Sequence, residues 1–232
     1  MPNTDTSDVR ALPLFQSMDE ANFDSLLRNA YIQNFPPMVD LIIEGDPSDF
    51  LHVVLTGSVE LFANCNERET TMATLRPIST FILAASIRGA PYLMSARTME
   101  KSRILMLPNV DVQAIFDIDH MFARAVVTEL AQCYRSVVKG TKDLKLRTSV
   151  ERLANYLLRQ QSLAGGGPKF TLRTEKRRLA AFLNMTPENM SRAIKTLKPY
   201  GVSVARNIVT IHDQEELKKF AKPTVLIDDY SS

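Results

Sequence analysis

One stretch constrains this chain more than any other: Thr174–Leu197, TEKRRLAAFLNMTPENMSRAIKTL. It reads as two short helices joined by a tight turn. Thr174 is placed to cap the first helix, and Leu179, Ala180 and Phe182 give it a small apolar face. Asn184–Met185 makes the turn. Thr186 caps a second helix with Pro187 at its first position, where a missing N–H removes no hydrogen bond. Met190, Ala193, Ile194 and Leu197 recur at helical spacing and point inward, which turns Glu188, Asn189, Ser191, Arg192 and Lys195 outward. This is the pattern of a helix-turn-helix whose second helix is presented for reading.

The outward residues suit double-stranded DNA. An arginine donates two hydrogen bonds to a guanine edge, a glutamate accepts from a cytosine amine, and a serine contacts a base or a phosphate. Glu188 and Arg192 lie four positions apart, so they share one helix face. The plain alternative is a surface ion pair contributing about 0.2–0.5 kcal/mol. The surrounding charge favours the DNA reading. Lys169, Arg173, Lys176, Arg177, Arg178, Arg192, Lys195 and Lys198 crowd one segment, opposed by Glu175 and Glu188. A hairpin with Arg206–Asn207 at its turn follows, a wing that brings Arg206 to phosphate. The candidate DNA-binding set is Thr174, Lys176, Thr186, Glu188, Asn189, Ser191, Arg192, Lys195 and Arg206.

Charge separates the ends of the 232-residue chain although the net charge is only +2. In the first sixty positions the acidic residues are opposed by Arg10 and Arg28 alone, whereas basic residues concentrate after Arg135. That asymmetry predicts one module that touches nucleic acid and one that does not. No apolar run approaches the ~20 residues of a membrane span, and the start lacks a signal-peptide pattern, so a cytoplasmic protein is expected.

In chain order, residues 1–10 are polar and expected to fray. A helical segment follows, with Ser17 or Asp19 as a cap. From Tyr31 to Leu107 short β-rich runs alternate with turn clusters: 39–43, 51–55, 58–62, 70–75, 92–98 and 103–107. They predict a small antiparallel barrel or jelly roll. Residues 115–146 read as one long helix. Along it Phe122, Val126, Leu130, Cys133, Val137, Thr141 and Leu144 recur at steps of four and three, a heptad-like seam. Its alternative role is to pack on the chain's own β-roll, with Ala125, Val127, Tyr134 and Val138 widening the stripe. Gly140 weakens the helix locally. Thr148-Ser149-Val150-Glu151 is a capping box that restarts a helix. A loop through Gly165–Gly167, a short strand at 170–172, the helix-turn-helix, the wing, a helix capped by Asp213 and an irregular tail complete the chain.

Two stretches carry a family resemblance. Glu188-Asn189-Met190-Ser191-Arg192 matches the E-x-x-S-R recognition motif of FNR-type regulators in the CRP/FNR superfamily, and Leu179-Ala180 with Asn184-Met185-Thr186 resembles the preceding helix and turn. EGDPSDFLHVVLTGSVELF resembles the opening of that superfamily's β-roll, with Gly45 and Gly57 at its two turn glycines. The resemblance implies an α+β fold: an N-terminal antiparallel, jelly-roll-like β-roll sensor domain with a leading helix (1–115), a long dimerisation helix (116–146) and a C-terminal winged helix-turn-helix domain (147–232). It implies a homodimer joined through the seam, and Glu188, Ser191 and Arg192 reading a TTG…CAA palindrome. RNA polymerase is the expected partner.

The resemblance also frames the effector. Cyclic nucleotide capture in that branch uses an Arg-Ser pair on a strand; Tyr92 and Leu93 stand at those positions, so cAMP is not expected. An iron–sulfur cluster held by four thiolates of one protomer is excluded, because the chain has two cysteines, Cys65 and Cys133. Cys133 reads as a buried small hydrophobe, and Arg88 and Arg97 as surface charges. Haem or iron stays open, with His52, Tyr92, Met94 and His120 as candidate effector-binding residues and the metal unknown. The whole chain is similar to the nitric-oxide-responsive NnrR branch, which implies a role in denitrification or anaerobic metabolism. Two other readings compete: a regulator without an effector, controlled by abundance, and a cupin-like metal enzyme. The enzyme reading lacks residues, since the barrel segment holds His52 alone and Gly165–Gly167 has no following Lys-Ser/Thr.

Overall fold

The computed structural model describes residues 6–66, 68–172 and 174–229. The chain divides into two compact units, Met1–Gln132 and Cys133–Ser232.

Helices α1 (Thr6–Arg10) and α2 (Glu20–Arg28) open the first unit. Asp19 caps α2, accepting from the amides of Ala21 and Asn22 at 2.9 and 3.2 Å. The frayed start expected over residues 1–10 lies outside the described residues at 1–5 and is corrected at 6–10, where Val9 is fully buried in the core. The strands follow as β1 (Tyr31–Phe35), β2 (Asp40–Ile42), β3 (Phe50–Thr56), β4 (Val59–Cys65), β5 (Arg68–Leu75) and β6 (Ser79–Phe81). Helix α3 (Leu83–Arg88) then precedes β7 (Ser95–Thr98) and β8 (Ser102–Pro108). The runs read from the sequence correspond to β2, β3, β4, β5, β7 and β8. The reading missed β1, β6 and α3, which are short or lack apolar alternation.

Two antiparallel sheets form, ordered β1-β8-β3-β6 and β2-β7-β4-β5. Alternation along β3 and β8 explains their layering. Leu51, Val53, Leu105 and Leu107 pack with the helices, in a core that holds Phe15, Phe23, Leu26, Val112 and Ile115. Val54 and Ile104 face the other way, joining Ile42, Val59, Leu61, Phe81 and Ala96 between the sheets. With both faces buried, β3 reads as the nearly continuous apolar run FLHVVL.

Helix α4 (Asn109–Ile118) and helix α5 (His120–Leu146) correct the single helix expected over 115–146. The break is Asp119, whose backbone is extended at φ −101°, ψ 100°. Its buried carboxylate accepts from the amides of Met121 and Phe122, capping α5, and from Asp19 N and Asn22 Nδ2, tying in α2. Burial alone would raise this carboxyl, but these donors outweigh it and hold it below the usual range.

The second unit continues with α6 (Ser149–Leu163), β9 (Lys169–Thr171), α7 (Lys176–Phe182), α8 (Pro187–Thr196), a 3-10 turn (Lys198–Tyr200), β10 (Val202–Ala205), β11 (Ile208–Ile211), α9 (Gln214–Ala221) and α10 (Val225–Asp228). The capping box at α6 is complete: Thr148 Oγ1 accepts from Glu151 N at 3.3 Å, and the Glu151 carboxylate accepts from Thr148 N at 2.8 Å. Asp213 caps α9 through Glu216 N at 3.0 Å. The tail expected to be irregular is so at 222–224, but forms α10 over Val225–Asp228, with Ile227 buried; residues 230–232 lie outside the described residues. Leu153, Leu157, Leu179, Met190, Leu197, Val209 and Leu217 are central in a separate core.

Candidate nucleic-acid interface

Helix α8 is held from one side and open on the other. Thr186 Oγ1 caps it by accepting from Asn189 N at 3.2 Å, with Pro187 next in line. Met190, Ala193 and Leu197 are buried in the core of the second unit, while Glu188, Asn189, Ser191, Arg192 and Lys195 are exposed. These positions fall where the helical period places them. The Glu188 carboxylate receives its own backbone amide and the Thr186 hydroxyl, and with Arg192 nearby it is held below the usual carboxylate range. It stays ionised at neutral pH as an acceptor. Ser191 Oγ donates to Pro187 O at 2.9 Å, so its lone pairs remain open to an incoming donor.

The turn before α8 is anchored by a residue the sequence reading missed. Arg152, on α6, is buried; its Nε donates to Leu183 O at 3.1 Å and its terminal nitrogens to Arg147 O at 2.8 Å and Asn184 O at 3.4 Å. Asn184 adopts φ 52°, the left-handed conformation that turns the chain sharply. The signal was a basic residue inside an otherwise apolar helix face, next to the capping box. Thr174 does not cap the first helix: the cap position is Glu175, with no side-chain cap bond, and Thr174 lies in a bend before it. Arg173 lies outside the described residues. Lys169, Lys176, Arg177 and Lys198 are exposed, while Arg178 is half-buried. The wing is β10 paired with β11, which pairs in turn with β9, and Arg206 at its tip is exposed with φ 56°.

The expected seam on α5 is corrected at its N-terminal end. Phe122 and Val126 are fully buried in their own unit's core, and Leu130 packs partly against it. The two buried residues cannot meet a second chain. Of the residues expected to widen the packed stripe, Ala125 does so, whereas Val127, Tyr134 and Val138 are exposed. Cys133 is exposed rather than buried. Tyr134 is 71% exposed, Val137 65% and Leu144 47%, and Thr141 is open as well. The open stripe runs Val127, Tyr134, Val137, Thr141, Leu144, with the half-buried Leu130 completing the alternating steps of three and four. The seam read from the sequence mixed two adjacent faces.

The effector candidates separate. His52 is buried between the sheets, its ring stacked on Phe81 at 5.0 Å, with Nδ1 lacking a hydrogen-bond partner. Burial pushes its pKa down to about 4, so it is a neutral imidazole at physiological pH. Tyr92 and Met94 belong to the same inter-sheet core. His120 is exposed, at the start of α5. The two positions expected on a strand to hold an anion lie ahead of β7 instead: Tyr92 is buried and its hydroxyl accepts from Asp49 N at 3.3 Å, while Leu93 is 84% exposed. Arg97 is not a surface charge: it bonds Glu60 at 3.1 Å and Glu69 at 2.7 Å and lies over the Phe62 ring at 4.2 Å. Burial opposes its charge, but the two carboxylates outweigh that and hold it above its ordinary range. It is already neutralised. Among the described residues no three His, Cys, Asp or Glu side chains converge on a point that could hold a metal ion.

Fold and site together define a two-module, winged helix-turn-helix protein with a β-roll sensor. Residues 32–119 match the cyclic nucleotide-binding domain family, and residues 151–220 match the Crp-like helix-turn-helix domain family. The Cyclic AMP receptor protein of Thermus thermophilus is 26% identical over 195 residues, 84% of this chain and 89% of that protein. CooA from Carboxydothermus hydrogenoformans shares the fold at a TM-score of 0.74 and 19% identity, covering 94% of this chain and 96% of that one. FixK2 from Bradyrhizobium japonicum does so at 0.71 and 20%, covering 84% and 98%. This chain belongs to the CRP/FNR family of DNA-binding transcription regulators, and its relatives are regulators rather than enzymes. No helix among the described residues is long and apolar enough to cross a membrane.

Proposed function

We propose that the protein acts as a homodimer reading a TTG…CAA-like palindrome. Glu188, Ser191 and Arg192 address base edges, Thr186 and Asn189 lie beside them, and Lys176, Lys195 and Arg206 meet phosphates. Thr174, in the bend before α7, is assigned a backbone contact. The observation that carries this reading is α8 itself: its apolar face is locked into the core while Glu188 and Arg192 stand exposed one turn apart. Two such helices related by a two-fold axis read half-sites about one DNA turn apart. The open stripe on α5 supplies the surface for the second copy. Bound to a promoter, such a dimer meets RNA polymerase, which places it in the cytoplasm.

The reading extends to the signal: nitric oxide or another redox, iron or haem cue in nitrogen-oxide metabolism, rather than cAMP. A cyclic phosphate does not fit the residues present, since Tyr92 and Leu93 offer it no cation and Arg97 is paired. For haem, His52 would hold the iron through its neutral imidazole. Competing with this is a regulator without an effector, favoured by the ring of Phe81 stacked directly on His52.

Fluorescence anisotropy on a TTG…CAA duplex and a scrambled one, at fixed salt, tests the DNA reading. Preference for the palindrome is expected; equal affinity for both duplexes would refute it. Repeating the titration with haem, ferrous iron or nitric oxide separates the two signal readings, because affinity that ignores all three removes the effector.

A further inference from the structure

Arg147 sits between the last residue of α5 and the Thr148 cap of α6, and it is tied on both sides. Its guanidinium grips the Asp228 carboxylate with two parallel bonds, at 2.7 and 2.6 Å, and donates to Asp143 Oδ1 at 2.9 Å. Its carbonyl accepts from Arg152, the residue that holds the Leu183–Asn184 turn ahead of the recognition helix. Asp228 is fixed in turn: its carboxylate accepts from Thr224 N at 2.6 Å, and Ile227 beside it is buried. One residue further on, the Asp229 carbonyl accepts from Lys139, a buried lysine two turns back along α5. Lys139 and Asp143 on α5 and Arg147 just past its end recur every four residues, on a side away from Tyr134, Val137, Thr141 and Leu144.

These contacts form one chain from α10 through the α5–α6 junction to the helix-turn-helix turn, all inside the second unit. A fork-shaped arginine–carboxylate pair fixes orientation as well as distance. We propose that the 224–229 segment is a strap, and that Arg147 and Asp228 are positioning residues that set the angle of the α5–α6 junction and so the presentation of α8 to DNA. The proposal rests on the DNA reading above. It adds that the junction is held by a removable side-chain contact rather than by helix continuity. Neither Arg147 nor Asp228 touches the DNA face.

The test compares the full chain, Asp228→Ala, Asp228→Glu and a chain ended at Pro223. Hydrogen exchange is followed across residues 143–151 and 187–196, and DNA affinity is measured on palindromes whose half-sites are moved apart by about two base pairs, a fraction of the ~10 in one DNA turn. In the alanine and shortened variants the junction amides should exchange about tenfold faster or more, with those of α8 unchanged. The spacing preference should flatten, and Asp228→Glu should restore part of it. Unchanged junction exchange would overturn the strap. So would equal loss of protection in α8, which would make the segment general cement for the domain. Palindrome preference of the wild type is the separate control on the DNA reading, and the exchange rates, needing no DNA, decide the strap whichever way that control falls.

Discussion

In the proposed reading sequence-specific recognition turns on Arg192, whose side chain is carried on the exposed face at the centre of α8. Arg192→Ala is expected to cost about 1–3 kcal/mol on the palindrome and to relax base choice at one position. Binding to duplexes with single base changes measures this, and an equal loss on every duplex would mean a phosphate contact only. The two motif glycines differ in kind. Both need a positive φ, but a Cβ at Gly57 would collide with Ser102 Oγ and lie 2.7 Å from Lys101 O, whereas Gly45 faces open space. Gly45→Ala should cost about 1–2 kcal/mol for the backbone alone. Gly57→Ala should cost more, about 2–4 kcal/mol, as urea unfolding will show. His52 predicts a pH dependence. Its folded pKa of about 4 lies below the unfolded value of 6.5, so the neutral folded form is favoured: the contribution is fully present above the unfolded pKa and is lost as pH falls toward 4. It amounts to roughly 3 kcal/mol. Unfolding titrations of the wild type and His52→Phe should diverge in slope across that window, and parallel curves would show that the imidazole is solvated.

At the scale of elements, local chemistry was legible at three caps and failed at one, Thr174. Thr148 with Glu151, Thr186 with Pro187, and Asp213 each start a helix as read. The misses share a cause: α1, α3 and α10 have six residues or fewer and are held by packing, so no periodicity announces them. The break at Asp119 was hidden because its partners, Asp19 and Asn22, lie 100 and 97 positions away in sequence. Arg152 belongs here too, since its carbonyl acceptors come from outside its own helix. Arg152→Met should keep the volume but leave the carbonyls of Arg147, Leu183 and Asn184 without their donor, costing about 1–3 kcal/mol. Thermal melting gives the loss, and faster hydrogen exchange at residues 183–186 is the signature that the turn has loosened. An unaltered turn would show that Arg152 only fills space.

At the scale of the molecule, the proposed function depends on association, because a palindrome is read by two copies. The open face of α5 places Tyr134, Val137 and Leu144 in water in a single chain, a cost that the proposed second copy would remove. Val137→Glu is therefore expected to shift the protein toward monomer in sedimentation and to abolish preference for the full palindrome over a half-site. Phe122→Ala should behave otherwise. It opens a hole in the sensor core and should lower stability by about 3–5 kcal/mol. Dissociation caused by Phe122→Ala without loss of stability would restore the seam as the sequence suggested it.

The sequence alone determined the two-module order, the recognition helix with its outward residues, and the charge division between the modules. Each rests on spacing or composition within a few turns of chain. Tertiary structure decided which face of α5 is free, that Arg97 is paired, that His52 is a buried neutral imidazole, and that Asp228 reaches Arg147. Those facts depend on which distant segments cover a residue. A one-dimensional period fixes the direction of a side chain from its own helix or strand, and only packing supplies what it meets there.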